Sequence, residues 1–350
     1  MGNPISRIFG NIEAIVRAVA GVFYTPRCPI GWHPTALAPV FYGVRDYGPL
    51  DGAPGPCRVF FPTLDGAVYS ARILRNCGTY PLLLFAHGDC SEFEHYKKWF
   101  DVPAMLARSG YVVVVPPFSE IGAGVHPSGA DGDLALLGNM LDWMRARWEF
   151  RDTLRAPPQT GLLGHSFGAL LAGRYAATTS AVTAFASLSG VWHYPTSPRP
   201  IDTLRIPTLL TWGSNQEPTF DIFTEYTEWS TLPRPKHRVV FDSIRHWDYL
   251  SQATSCTGDR GGCSLIPALS SELLMMFFSR YLPQQPDLTD RVSPTLVPPL
   301  FEELDLTLEQ EFYAGSYLSG FSRIGSSNGC RVTLSWDVAS GESGTETQPQ

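Results

Sequence analysis

A serine between two glycines is the residue with the clearest capacity for chemistry in this chain. Gly164-His165-Ser166-Phe167-Gly168 has the spacing G-x-S-x-G and lies between a short apolar run and a helical run of small residues. At a sharp strand-to-helix turn the serine hydroxyl projects above a sheet, and side chains two positions away on either side would collide. The sequence therefore predicts Ser166 as a nucleophile for acyl transfer. The alternative is a serine that caps a structural helix.

Two backbone N–H groups are needed to stabilise the oxyanion that acyl transfer forms. The first expected donor is the N–H of Phe167, directly after the serine. The second is expected from His87-Gly88-Asp89-Cys90, which follows a short apolar run. Gly88 permits a close approach of the backbone there, and the N–H of Asp89 is the predicted donor. His87 is expected to support this loop structurally; the alternatives are a catalytic role or a metal ion held by His87 with its neighbours.

The general base is expected to be a histidine late in the chain. Where a nucleophilic serine lies in a strand-to-helix turn of this kind, the catalytic residues follow the order serine, acid, histidine along the chain. His237 opens an apolar strand, whereas His246 follows that strand in a loop, so His246 is the predicted base. The predicted acid is Glu217, the one carboxylate in the loop at 213–218, with Asp221 as the alternative. Either carboxylate could orient the imidazole and stabilise its cation.

The elements that must position these residues alternate along the chain. Short apolar runs typical of buried strands alternate with helical stretches, which indicates βαβ units and a mostly parallel central sheet flanked by helices. Asp65-Gly66 also predicts a hairpin between Cys57–Pro62 and Val68–Leu74. The other strands are expected at Pro81–Ala86, Tyr111–Val115, Thr160–Leu163, Val182–Leu188, Pro207–Trp212, His237–Phe241 and Arg331–Trp336. The helices are expected at Tyr96–Ser109, Asp131–Trp148, Phe167–Thr178, Asp221–Trp229 and Ile266–Leu282.

The stretch from Val40 to Leu282 resembles the α/β hydrolases of the platelet-activating-factor acetylhydrolase and bacterial cutinase-like polyesterase group. The resemblance implies an α/β-hydrolase fold and cleavage of carboxylic esters through an acyl-enzyme. Because few residues separate Trp192 from Ile206, no large cap domain is expected. The resemblance rests on Cys57–Pro62, His87-Gly88, Gly164–Gly168, Trp192, the loop at 213–217 and His246.

The same resemblance assigns further residues to the site. In that group the acid commonly lies four residues after the loop glycine, which here selects Glu217. An aromatic residue lines the acyl or polymer cleft, and Trp192 matches it; Gly88 and Trp247 are also expected to contact the substrate. Two departures concern substrate identity: Glu217 replaces the usual aspartate, and Asp89 replaces an apolar or aromatic residue.

The composition of the chain limits the classes of binding partner that are expected. The net charge is −7 and no basic stripe is visible, so a nucleic-acid partner is not expected. The expected partner is a small or lipid-like ester, with no cofactor and no metal. Among the seven cysteines, Cys256 and Cys263 either form a disulfide or stay free thiols. Lyase or amidase chemistry on the same fold, and a catalytically idle protein that only binds, are the competing functions.

The two ends of the chain differ from its middle. Residues 1–39 are expected to form an amphipathic helix and a lead-in, residues 40–282 the catalytic domain, residues 283–338 a C-terminal extension and residues 339–350 a disordered tail. The N-terminal helix is expected to dock on the body or to contact a membrane surface reversibly. Charged residues interrupt its apolar run, so neither a signal peptide nor a transmembrane segment is predicted, and a cytoplasmic location is expected.

Overall fold

One sheet runs through the residues that the computed structural model describes. These are residues 41–63, 68–75, 79–90, 94–156, 159–190, 203–213, 232, 235–241, 245–250, 266–282, 310–313 and 331–337. The strands are β1 (Phe41–Tyr47), β2 (Cys57–Thr63), β3 (Leu82–Ala86), β4 (Val112–Val115), β5 (Thr160–His165), β6 (Ala184–Leu188), β7 (Thr208–Gly213), β8 (Lys236–Phe241), β9 (Gln310–Tyr313) and β10 (Arg331–Asp337). The helices are α1 (Asp101–Arg108), α2 (Ser119–Gly122), α3 (Asp131–Ala146), α4 (Phe167–Thr178) and α5 (Ile266–Tyr281). Short 3-10 turns lie at Pro49–Asp51, His95–Lys98 and Arg151–Thr153.

The centre of the sheet is parallel and its two edges are antiparallel. The strand order is β1-β2-β4-β3-β5-β6-β7-β8-β10-β9. The six strands from β4 to β8 pair in parallel, whereas β1, β2, β10 and β9 pair antiparallel. The predicted mostly parallel α/β architecture is confirmed. In open sheets of this kind, sites form at the carboxyl ends of the parallel strands.

Different helices cover the two faces of the sheet. Successive residues of β3 alternate between two apolar clusters: Leu82 and Leu84 belong to one, Leu83 and Phe85 to the other. The first cluster contains the buried faces of α3 and α4, and the second those of α1 and α5. Both faces of the central strands are therefore buried, which explains their continuous apolar sequences.

Most predicted elements agree with the structure to within a few residues, but the helix predicted at Tyr96–Ser109 begins later. A 3-10 turn occupies His95–Lys98, and α1 starts only at Asp101. Proline lacks an N–H and its ring clashes with the carbonyl four residues earlier, so it is tolerated only in a first turn. Starting α1 at Asp101 places Pro103 in that first turn.

The predicted hairpin between Cys57–Pro62 and Val68–Leu74 is wrong. Residues 68–75 form no strand. The reason is that β2 already pairs with β1 on one side and β4 on the other, which leaves no free edge. The apolar residues Ala71, Ile73 and Leu74 are nevertheless buried, and they pack into the core without a ladder.

Two parts of the sheet were absent from the expectation. Strand β1 lies at the start of the predicted catalytic domain, where no strand was expected, and β9 adds a strand to the region after residue 282. Strand β10, near the predicted Arg331–Trp336, pairs with β8 and so continues the central sheet.

Several expectations fall on residues outside the described ranges. These are the N-terminal helix, the helix at Asp221–Trp229, the segment between Trp192 and Ile206 up to residue 202, and Cys256 and Cys263. Within the described residues, no helix combines the length and the apolar character needed to cross a membrane.

Candidate active site

Loops after four parallel strands meet at the carboxyl edge of the sheet. They follow β3, β5, β6 and β8, and they carry Gly88, Ser166, Ser189 and His246 respectively. The N–H of Ser166 donates to the carbonyl oxygen of Leu188 at 3.1 Å, which joins the turn after β5 to the end of β6. Ser166, Ser189 and His246 are all buried.

The turn between β5 and α4 has the geometry of a nucleophile elbow. Ser166 has φ 55° and ψ −126°, a backbone conformation that few residues other than glycine adopt. A β-carbon on Gly164 would lie 2.5 Å from Ala169 Cα, and one on Gly168 would lie 2.2 Å from the carbonyl oxygens of Ala86 and His87. The two glycines therefore have separate reasons: Gly164 lets the turn close, and Gly168 lets α4 begin against the end of β3.

The loop after β3 touches this elbow at Gly88. A β-carbon on Gly88 would stand 2.8 Å from Ser166 Cβ and 2.9 Å from His165 Nδ1. Only a residue without a side chain can bring the backbone this close to the serine. The Gly88–Asp89 peptide therefore lies directly beside Ser166.

His87 fixes the orientation of that peptide. The N–H of Phe118 donates to His87 Nε2 at 3.0 Å, which leaves the proton on Nδ1, and Nδ1 lies 2.9 Å from the carbonyl oxygen of Gly88. In a trans peptide the N–H points opposite to the C=O, so the N–H of Asp89 is directed away from His87. This agrees with the structural role expected for His87. Burial and, to a smaller extent, the nearby His95 lower the pKa of His87 to about 3, so the imidazole is neutral.

The side chain of Asp89 faces the loop that precedes α3. Its Oδ2 is 3.9 Å from the point that a β-carbon on Gly124 would occupy, and burial raises the pKa of the Asp89 carboxyl. Two residues further along the same loop, the His126 ring lies 5.7 Å from the ring of Phe167. Asp89 and Phe167 thus lie beside the same loop. The next residue, Cys90, is disulfide-bonded.

Phe167 is the first residue of α4. Its N–H belongs to the first turn, where the N–H groups point out of the helix end and favour negative charge. The carbonyl of Ser166 accepts from Ala169 at 3.0 Å, which shows that the helix begins immediately after the serine. Phe167 and the Gly88–Asp89 peptide consequently approach Ser166 from two different elements.

His246 lies in a tight turn after β8. The N–H of Arg245 donates to Asp248 Oδ2 at 2.9 Å, and the N–H of Asp248 donates to the carbonyl of Arg245 at 3.2 Å. A short aspartate commonly closes a turn in this way. His165 Nε2 donates to the carbonyl oxygen of His246 at 2.8 Å, so the residue before the serine holds the backbone of the histidine.

The imidazole of His246 is enclosed by three side chains. Its ring centre lies 4.7 Å from that of His165 and 5.1 Å from that of Trp247, and its Nδ1 lies 3.1 Å from Ser189 Oγ. Burial lowers the pKa of His246 to about 3 and holds the pKa of His165 well below its ordinary value. Both rings are therefore neutral at pH 7, and a neutral imidazole can accept a proton.

The structure separates the two late histidines. His237 lies in β8, where its Nε2 is 2.7 Å from Tyr281 Oη and its ring packs on Phe277 of α5. It occupies the amino half of the strand, whereas His246 follows the carboxyl end. Of the two, only His246 lies against the elbow, where it contacts His165, the residue before the serine.

The remaining expected site residues are divided. Trp247 is half-buried beside His246, 5.1 Å from the His165 ring, and its contact with a substrate stays a prediction. Glu217, Asp221 and Trp192 lie outside the described residues. Ser189 was not predicted from the sequence, although it directly follows the strand expected at Val182–Leu188. The usable signal was the position directly after that strand.

In the described part of the chain, no group of three or more His, Cys, Asp or Glu side chains is arranged to hold a metal ion. No protein-family model matches the chain, and no curated protein matches its sequence. The function must therefore be argued from the geometry of the site.

Proposed function

We propose that this chain is a serine hydrolase of the α/β-hydrolase fold that cleaves carboxylic esters, with Ser166 as the nucleophile. The observation that carries the proposal is the strained backbone of Ser166 at the junction of β5 and α4, with the Gly88 loop pressed against its β-carbon. A serine that merely capped a helix would need neither feature. Strain of this kind persists only where the surrounding structure enforces it, and it is typical of functional sites.

In the proposed mechanism, Ser166 Oγ attacks the ester carbonyl carbon while its proton passes to His246 Nε2. The carbonyl oxygen becomes an oxyanion, which accepts hydrogen bonds from the N–H groups of Phe167 and Asp89. Collapse of this intermediate breaks the bond to the alcohol, which leaves with the proton from His246. Water then attacks the acyl-enzyme by the same route and releases the carboxylic acid.

Support for the base comes from its protonation state. His246 is buried and neutral, and its Nδ1 is engaged by the contact with Ser189 Oγ, to which an Nδ1–H can donate, so that Nε2 is the nitrogen that receives a proton. Glu217 is the proposed acid that stabilises the imidazolium. Reversible contact of the N-terminal segment with a membrane surface, where lipid-like esters are found, remains part of the same proposal.

The test combines a covalent probe with a substrate series. A fluorophosphonate should label the wild-type protein and not Ser166→Ala, because only an activated serine reacts. p-Nitrophenyl esters from acetate to palmitate should be hydrolysed with a burst of one equivalent, and the series gives the preferred acyl length. Ser187→Ala is the matched control, since Ser187 is a buried serine on β6 that is assigned no role in the mechanism.

Each competing function predicts a different result. A protein that only binds would not react with the probe. An amidase would cleave anilides faster than the matching esters, and a lyase would release product without forming an acyl-enzyme. Equal labelling of wild-type protein and Ser166→Ala would refute the assignment of the nucleophile.

A further inference from the structure

Ser189 is held in an unusual backbone conformation directly after β6. Its φ is 50°, and among the described residues only Glu94, Ser166 and Ser189 have positive φ without being glycine. Ser189 is fully buried, and its N–H donates to the carbonyl oxygen of Thr211 in β7 at 2.7 Å. A serine in this conformation is disfavoured relative to glycine, so the presence of a hydroxyl here calls for a separate reason.

The reason is the contact of that hydroxyl with the proposed base. Ser189 Oγ lies 3.1 Å from Nδ1 of His246, and both side chains are buried. A neutral imidazole carries a proton on only one of its nitrogens, and the partner of one nitrogen determines which. For Nε2 to accept the proton of Ser166, Nδ1 must carry the ring proton, and the Ser189 hydroxyl oxygen is then its acceptor.

We propose that Ser189 is a positioning residue that holds His246 in the tautomer required for catalysis. This inference rests on the function proposed above. The hydroxyl is uncharged, so it orients the ring but stabilises the imidazolium less than a carboxylate does. Ser189 therefore assists the orientation of the ring from the β6 side, whereas Glu217, the proposed acid, both orients the ring and stabilises its cation.

Other described residues also restrain His246. Among the described residues, His165, from the elbow, is a titratable side chain that faces the ring, and burial keeps it neutral. On the turn of His246 itself, the Asp248 carboxylate is engaged by the N–H of Arg245. Trp247 packs edge-on against the ring at 88°. Of these groups, Ser189 is the one whose contact is with Nδ1.

Four variants of the chain separate the effect of the hydroxyl from that of the backbone strain. Ser189→Ala removes the hydroxyl and keeps the strain, whereas Ser189→Gly removes both. Both should lower kcat about tenfold with little change in KM, although the glycine variant should be the more stable. Ser187→Ala is the matched control: it removes a buried hydroxyl two residues earlier, which has no hydrogen-bond partner among the described residues. It should behave as the wild type.

The fourth variant, Ser189→Asp, gives a readout that a purely structural role would not move. Aspartate tolerates the left-handed backbone, and its carboxylate would accept the Nδ1 proton and favour the imidazolium. The acid limb of kcat/KM should therefore move to higher pH by about one unit or more. An unchanged limb would mean that residue 189 does not contact Nδ1, which would overturn the proposal.

A measurement independent of activity distinguishes failure of this inference from failure of the proposed function. In protein labelled with ¹⁵N on its histidine rings, the His246 signals are identified by their absence in His246→Gln. The wild type should show the proton on Nδ1, and Ser189→Ala should show a mixture of tautomers. If the wild type fails to react with a fluorophosphonate while this pattern appears, the proposed function fails and the contact stands. If Ser189→Ala leaves both the tautomer and kcat unchanged, the positioning role is overturned.

Discussion

Replacing Gly88 by alanine should remove one oxyanion donor without unfolding the protein. The added β-carbon would lie 2.8 Å from Ser166 Cβ, 2.9 Å from His165 Nδ1 and 3.2 Å from the His165 carbonyl oxygen. Carbon atoms in contact are ordinarily at least about 3.5 Å apart, so a gap of roughly 0.7 Å must open. All three contacted atoms belong to the elbow, and the displacement therefore moves the loop away from it.

That displacement sets the size of the effect. A donor at about 2.9 Å from the oxyanion would move to roughly 3.6 Å, which is outside hydrogen-bonding range. Loss of one oxyanion donor lowers kcat by about 10²- to 10³-fold. The overpacking itself should cost about 1–3 kcal/mol of folding free energy, which a domain of this size tolerates.

The assay is steady-state hydrolysis of a short-chain p-nitrophenyl ester, with thermal unfolding followed in parallel. Gly55→Ala is the matched control, because its β-carbon would meet only Leu136 Cδ1 at 3.8 Å, an ordinary contact. We expect kcat to fall in Gly88→Ala with KM nearly unchanged, since the lost interaction exists mainly in the transition state. A Gly88→Ala protein that folds and keeps more than about a third of wild-type kcat would refute the assignment of this loop to the oxyanion hole.

Five further outcomes are expected. Ser166→Gly and Ser166→Ala should both be inactive, but the glycine variant should be more stable by about 1 kcal/mol because it relieves the positive φ; equal stabilities by denaturant titration would argue against strain at the elbow. His246→Ala should lose nearly all activity, whereas His237→Ala should keep it; the reverse result would make His237 the base. Glu217→Gln should lower kcat by up to about 10⁴-fold, whereas Asp221→Asn should change it less than about tenfold. The reverse result would make Asp221 the acid. Asp89→Asn should raise kcat for neutral esters about three- to tenfold, since it removes a negative charge beside the developing oxyanion. If kcat at low salt is unchanged, the carboxylate lies away from the reacting oxygen. The free energy of unfolding should be greatest above about pH 6.5 and should fall toward pH 4. Burial lowers the folded-state pKa of His87 and His246 to about 3 and of His95 to about 4, so the unfolded chain binds more protons than the folded one in this range. A thermal midpoint that stays constant between about pH 6.5 and pH 4 would contradict this.

The elbow could be predicted from sequence because its determinants are local. Gly164, Ser166 and Gly168 lie within five residues, and the strand and helix on either side have apolar and small-residue sequences that match their buried positions. The parallel strands were equally legible, since each is buried on both faces and reads as a continuous apolar run. In these elements the sequence neighbours decide the structure.

The predictions of strands were wrong where residues distant in sequence determine whether a segment forms a strand. Strand β1 contains Gly43, a residue that usually weakens a strand. In the structure a β-carbon on Gly43 would lie 2.3 Å from the ring of Phe61 on β2, so the glycine makes room for an aromatic side chain. The apolar run at Val68–Leu74 failed to form a strand for the converse reason, because both edges of β2 were occupied. Neither circumstance can be deduced from the local pattern.

Ser189 was missed for a third reason, which is that backbone strain has no signature in composition. Only the structure shows that Ser189 has φ 50° and contacts His246. A serine in a site can act through orientation alone, and the side-chain type by itself does not reveal that.

The distribution of strain is itself an argument that this edge of the sheet is functional. Of the three non-glycine residues with positive φ in the described chain, Ser166 and Ser189 lie in the loops after neighbouring strands and are linked through the bond from Ser166 N–H to Leu188. The third, Glu94, precedes His95, whose ring lies 5.1 Å from that of His87. Such conformations cost about 1–3 kcal/mol each, and chance would scatter them over the surface. Because they are concentrated around one serine and one neutral histidine, we infer that the fold is less stable than it could be in order to hold these two side chains in place.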